Sequence, residues 1–195
     1  MHNFDWERGF SLDFDLVSGL SAHAETTKRR LSQMNGMFQD RQAWEQMVAQ
    51  GDPLVYEYYE LGCPERPGDL AFGSTVLYPG TVGSEFFMTK GHFHTNLMTA
   101  EVYYTLSGTG GMLLENLDGD WQLLDMTPGQ AIYVPRGYAH RTINTGKTPL
   151  VFLYAFDADA GHDYGTIETK GYRQLVIDTP EGAKAVPNPK WNTYE

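Results

Sequence analysis

Cysteine is almost absent from this sequence. Cys63 is the only one in 195 residues, so no intrachain disulfide can form and disulfide-stapled secreted scaffolds are excluded. It stands beside Pro64 with no histidine nearby, and reads as a passive thiol rather than a nucleophile. Long apolar runs are missing too. Nothing approaches the ~20 apolar residues of a membrane-spanning helix, and Met1-His2-Asn3-Phe4-Asp5 shows no export signal. Basic charge is scarce: 14 Lys and Arg against 25 Asp and Glu give a formal net charge of −11, with no basic run to track a nucleic-acid backbone. The expectations are a cytoplasmic setting with neither nucleic acid nor membrane as partner. A single phosphate group needs only a few local donors, so a small phosphorylated ligand is compatible with this charge.

What is present fits one folded domain. Hydrophobic residues make up 41%, with 10 Phe and 12 Tyr, and a chain of this length can bury enough apolar surface to fold without crosslinks. Residues 1–53 read as a partly helical extension. Asp40 is an N-cap candidate for a helix carrying Trp44, Met47 and Val48 and stopped by Gly51, and a weaker helical segment is predicted over 25–34, where Lys28-Arg29-Arg30 forms a solvated face. From residue 54 the chain turns to short aromatic and β-branched runs. Strands are predicted at 54–61, 70–78, 101–107, 110–117, 120–126, 130–135, 139–144, 149–156 and 172–178. Asp118-Gly119 predicts a type I′ hairpin and Pro128-Gly129 a type II turn, so strands return antiparallel. Residues 54–179 are read as the barrel and 180–195, with three prolines, as an irregular or edge arm.

Chemistry concentrates in Gly91-His92-Phe93-His94, in Glu101 after six further residues, and in His140. On a strand, positions i and i+2 share a face, so His92 and His94 project together. Hairpin pairing is expected to bring Glu101 and His140 to the same pocket. A lone strand histidine is ordinarily a hydrogen-bonded residue, but four of the six histidines here fall inside motifs. Three imidazoles and a carboxylate suit Fe(II), Mn(II), Ni(II) or Zn(II), with positions left for substrate.

Gly129, Pro135-Arg136-Gly137, His140 and Asn144 match the second motif of the cupin superfamily. His92, His94, Glu101 and Gly108 follow the first, with a longer spacing before Glu101. Phe86–His94, Ala100–Tyr103, Gly110–Leu114, Ala139–Thr142 and Asp159–Ile167 narrow this: the sequence resembles the cupin-type phosphoglucose isomerases over nearly its whole length. The resemblance implies an all-β cupin jelly roll, the double-stranded β-helix barrel, with a short helical N-terminal segment. It further implies a homodimer with one divalent metal per subunit, commonly Fe(II), held by His92, His94, Glu101 and His140. The implied reaction interconverts glucose 6-phosphate and fructose 6-phosphate, within glycolysis or gluconeogenesis. Substrate contacts carry over to Thr75, Thr89, Gly91, Tyr103, His162 and Tyr164. One departure is Phe156-Asp157, where the family has Tyr-Pro, so a hydroxyl expected near the substrate is missing.

In such a site Glu101 serves as the base that carries a proton between two sugar carbons, or as a spectator to a hydride shift, and His162 assists ring opening. Two alternatives stand beside the isomerase: an Fe(II) dioxygenase using the same ligand set, and a non-catalytic sugar-phosphate-binding cupin, which has little reason to keep all four ligands.

Overall fold

Residues 4–21 and 26–191 are described in the computed structural model. The run predicted as a weak helix over 25–34 is instead a strand, β1 (Thr27–Arg30), followed by a 3₁₀ turn at Leu31–Met34; residue 25 lies outside the described residues. Long-range pairing overrides local propensity here. Arg29 pairs with Tyr56 of β2 (Leu54–Glu60), while Leu31 and Met34, three apart and so on one side of a 3₁₀ turn, are fully buried. Lys28 and Arg30 are solvated as expected, but Arg29 is half-buried against Tyr56 and Tyr58. Helix α1 (Arg41–Gln50) forms where its caps predict: the Asp40 carboxylate accepts the Ala43 amide, and the Gly51 N–H closes on the carbonyls of Met47 and Val48.

The nine strands predicted from residue 54 onward all appear, within two residues of their expected ends. They are β2, β3 (Leu70–Leu77), β6 (Glu101–Ser107), β7 (Gly110–Asn116), β8 (Trp121–Met126), β9 (Ala131–Val134), β10 (Tyr138–Ile143), β11 (Leu150–Asp157) and β12 (Gln174–Thr179). Two-residue strands β4 (Thr81–Val82) and β5 (Glu85–Phe86) are additional. The C-terminal arm is more regular than predicted, since Gly182–Pro187 forms β13, antiparallel to β12. Its prolines bound the strand instead of breaking it: Pro180 sits in the turn and Pro187 at the last pair. Residues 192–195 of the predicted arm are outside the described residues.

Sheet order is β1-β2-β3-β11-β6-β9 in one sheet, β10-β7-β8 in a second, and β13-β12-β5-β4 in a third, all antiparallel. The inner faces of the first two enclose the core, where Leu77, Met112, Leu114 and Phe152 are essentially inaccessible. This is the all-β barrel expected, with helix among the described residues confined to α1, the 3₁₀ turn and the short α2 (Gly165–Lys170). Among the described residues no helix is long and apolar enough to cross a membrane.

One turn follows prediction and one does not. Gly129 has φ +87° and the Gln130 amide bonds the Thr127 carbonyl, as a type II turn requires. Asp118-Gly119 lies in a four-residue link, 117–120, in which only Gly119 has positive φ. A type I′ turn needs positive φ at both central residues, and the loop is closed instead by Asn116, whose side chain accepts the Asp120 amide.

Candidate active site

Strand alternation builds the cleft. On β6, Glu101, Tyr103 and Thr105 are buried while Val102 and Tyr104 face out. On β11, Phe152, Tyr154 and Phe156 line the cleft, and β2 adds Tyr56, Tyr58 and Glu60. From the opposite sheet β10 contributes His140 and Thr142. Glu101 and His140 therefore meet across the barrel from facing sheets, not through the hairpin pairing expected from sequence: β6 pairs with β9 and β11, and β10 with β7.

His92 and His94 are not in a regular strand either. Their segment is extended and held by isolated bridges, His92 to His140 and Phe93 to Asp163. Gly91, at φ +71°, interrupts any ladder before it. A Cβ there would sit 2.5 Å from the Tyr172 hydroxyl and 2.9 Å from the His140 carbonyl, so only glycine lets the segment lie this close to β10. The i, i+2 relation still places both imidazoles on one side.

The four predicted ligands converge: one ligand atom from each of His92, His94, Glu101 and His140 lies within 4.8 Å of the others. Glu101 Oε2 is 3.1 Å from His94 Nε2 and 2.9 Å from His140 Nε2. Thr99 fixes the tautomer of His94. Its hydroxyl donates to the Asn96 carbonyl, so it can only accept from His94 Nδ1–H at 2.8 Å, leaving a lone pair on Nε2. That lone pair faces a carboxylate oxygen, a repulsive contact unless a cation or proton stands between them. His92 Nε2 and His140 Nε2 are buried with no hydrogen-bond partner, the latter despite its short distance to Glu101. Burial pushes the Glu101 carboxyl up, but His140, His94 and His92 outweigh it and hold it below the ordinary carboxylate range. Burial and the neighbouring His140 hold the His92 imidazole well below its usual value. Inward-aimed donors of this set, two of them without a hydrogen-bond partner, fit a divalent transition metal.

The six predicted substrate-contact residues all line the same cleft. Thr89 Oγ1 accepts from the Thr142 amide at 3.0 Å and from its hydroxyl at 3.2 Å, so its own proton is left to donate into the cleft. The Gly91 N–H has no partner among the described residues. His162 and Tyr164 stack at 10° in the loop before α2, with the His162 ring 4.4 Å from that of His92. Burial lowers the His162 pKa, so the ring is neutral near pH 7. Phe156 packs edge-on to His162 and brings no hydroxyl.

Sequence reasoning missed Tyr56, Tyr58, Glu60, Lys90 and Tyr154. The i, i+2 spacing of Tyr56, Tyr58 and Glu60 was a usable signal. Tyr154 depends on a neighbour. Its hydroxyl crosses Gly73, its pairing partner on β3, to reach the Tyr59 carbonyl at 3.1 Å, and a Cβ at Gly73 would collide with both groups. Cys63 is half-buried and burial raises its thiol, in keeping with a passive role.

Comparisons with known proteins agree with this arrangement. A sequence profile of the family "Glucose-6-phosphate isomerase (GPI)" matches residues 28–191. A glucose-6-phosphate isomerase of Thermococcus litoralis is 49% identical over 186 residues, covering 95% of this chain and 98% of the relative. One from Sinorhizobium medicae is 38% identical, covering 91% and 85%. Among solved structures, an oxalate oxidase superposes with a TM-score of 0.48 at 20% identity, over 60% of this chain and 58% of that one. By its profile match and by relatives aligned over nearly their whole length, the chain belongs to the glucose-6-phosphate isomerase family.

Proposed function

We propose that the cleft interconverts glucose 6-phosphate and fructose 6-phosphate, with a divalent metal held by His92, His94, Glu101 and His140. The observation that carries the metal is the convergence of three imidazoles and the Glu101 carboxylate, with His92 Nε2 and His140 Nε2 buried and unpaired. Fe(II) is the first choice of ion, and Mn(II), Ni(II) and Zn(II) accept the same donors. A bound cation of this kind supplies Lewis acidity to the sugar carbonyl. The chain's own residues do the rest. Glu101 takes the proton from C2 of the aldose and returns it to C1. Tyr103, two residues along the same buried face of β6, orients the sugar oxygens. His162, neutral and half-exposed, exchanges the ring-opening proton. Thr75, the free Thr89 proton and the Gly91 amide hold the phosphate, and Tyr164 closes over it.

The enzyme is proposed to act in the cytoplasm as one domain, assembled as a homodimer. The exposed strip of Val102, Tyr104 and Tyr133 on the outer face of paired β6 and β9 supports self-association. Sedimentation of Tyr133→Glu should then show monomer where the unmodified protein is a dimer. The central test is a coupled assay of fructose 6-phosphate conversion by metal-loaded protein. Oxygen consumption without glucose 6-phosphate formation would favour dioxygenase chemistry and sink the isomerase reading.

A further inference from the structure

Strand β10 presents its two faces to two cavities. His140 and Thr142 face the cleft; Arg141, between them, faces a second cavity of about 170 Å³ lined by Glu168 and Lys170 of α2, Tyr172, Gln39 and Asn188. That space is several times the ~30 Å³ a water occupies in the liquid. Arg141 is 4% exposed. Its guanidinium lies 4.5 Å over the Tyr172 ring and Nη2 donates to the Lys90 carbonyl at 2.6 Å, while Nε is buried without a partner.

No carboxylate neutralises this cation at contact distance among the described residues. Glu85 and Glu115 act on it from farther off, and both are engaged elsewhere: Glu85 accepts the Gln39 amide at 2.5 Å, and Glu115 the Arg173 amide at 2.7 Å. A buried guanidinium is costly unless it is paired. Glu168, the acid on the cavity wall, is spent on Lys90 at 3.0 Å. A planar fork with an unused donor, in a polar cavity with a second cation at its edge, has the chemistry of an oxyanion receptor.

We propose that this cavity binds a phosphate-sized oxyanion on Arg141, with Lys170 supplying the second positive charge. The site is separate from the substrate cleft but touches it through Lys90. That residue's carbonyl is held by Arg141, its ammonium by Glu168, and it lies between Thr89 and Gly91. Occupancy therefore changes the affinity for sugar phosphate, and by linkage sugar phosphate changes the affinity for the anion by the same factor.

The test is equilibrium dialysis of labelled inorganic phosphate against the metal-loaded full chain, with the substrate cleft saturated by a glucose 6-phosphate and fructose 6-phosphate mixture. The expected result is one saturable phosphate per chain that survives saturation. Binding should weaken about tenfold or more in Arg141→Gln, from loss of charge-assisted bonds. Should that buried variant fail to fold, Lys170→Glu, on an exposed residue, decides: binding should fall by a similar factor with circular dichroism unchanged. Phosphate that is displaced in full by sugar phosphate and indifferent to Lys170→Glu would overturn the proposal, placing phosphate in the substrate cleft only. Absence of saturable binding would overturn it equally.

Discussion

The two ends of the cleft are built by different means. At the end proposed to hold the metal, four polar side chains from three chain segments meet within 4.8 Å, and their second partners, such as Thr99 behind His94, fix how they point. At the end proposed for the sugar phosphate, hydroxyls and a bare amide are spread over aromatic walls from β2 and β11. The first arrangement fails as a unit, because every ligand needs the others to offset its desolvation. The second is a sum of modest contacts. The comparison teaches where catalysis and binding separate: losses at the metal end should appear in turnover, and losses at the phosphate end in KM.

The largest effect should come from emptying the metal end. Chelation, or His140→Ala, should abolish turnover while β-structure by circular dichroism is retained, because the core rests on apolar burial between the sheets. Added Fe(II), Mn(II) or Ni(II) should restore the chelated protein and not fully restore the variant. Full turnover by protein that elemental analysis shows to be free of metal would break the comparison at its root. Next in size is Glu101→Gln, assayed with excess metal so that the weakened ligand set stays loaded, which keeps the shape and removes the base. A fall in kcat of about 10²–10⁴, with KM little changed, is expected for loss of a general base. Product formed by the unmodified enzyme in D₂O should carry deuterium at the isomerised carbon. Its consistent absence would leave Glu101 as a ligand only and point to direct hydrogen transfer.

At the other end, Thr89→Ala should raise KM roughly tenfold, since a hydrogen bond to a charged phosphate contributes about 1.5–3 kcal/mol, with kcat less affected. Unchanged KM in both Thr75→Ala and Thr89→Ala would move the phosphate elsewhere in the cleft.

The two ends also differed in how well the sequence announced them. The four residues of the cluster were legible, because metal coordination tolerates few residue types and the spacing of His92, His94, Glu101 and His140 leaves a pattern. The reason they meet was not legible: it depends on facing sheets, a long-range arrangement that local strand pairing does not encode. Nine of the strands from β2 to β12, all but the two-residue β4 and β5, were readable from alternation and turn residues, whereas β1 was hidden because its charged run makes sense only beside Tyr56. The aromatic wall was hidden for a related reason. Tyr56, Tyr58 and Tyr154 look like ordinary core residues, and only the register of β2, β3 and β11 turns them toward the cleft.

The smallest effect is expected at Phe156, whose ring brings no hydroxyl to the cleft wall. Its ring packs between Tyr154, 6.0 Å away and stacked, and His162, 5.4 Å away and edge-on, with the His94 ring 5.9 Å distant, so it touches both ends of the cleft. Phe156→Tyr adds one hydroxyl at the rim of a wall already shaped for a ring. A neutral hydrogen bond nets about 0.5–1.5 kcal/mol, roughly twofold to tenfold in an equilibrium constant. If the sugar end only binds, the new hydroxyl contacts substrate and transition state alike, so KM should fall by that factor and kcat should hold. Steady-state kinetics in both directions of the isomerisation measure this. A rise in kcat at constant KM would mean instead that the hydroxyl acts on the reacting atoms, and the boundary between the two ends would then have to be drawn on the phosphate side of β11.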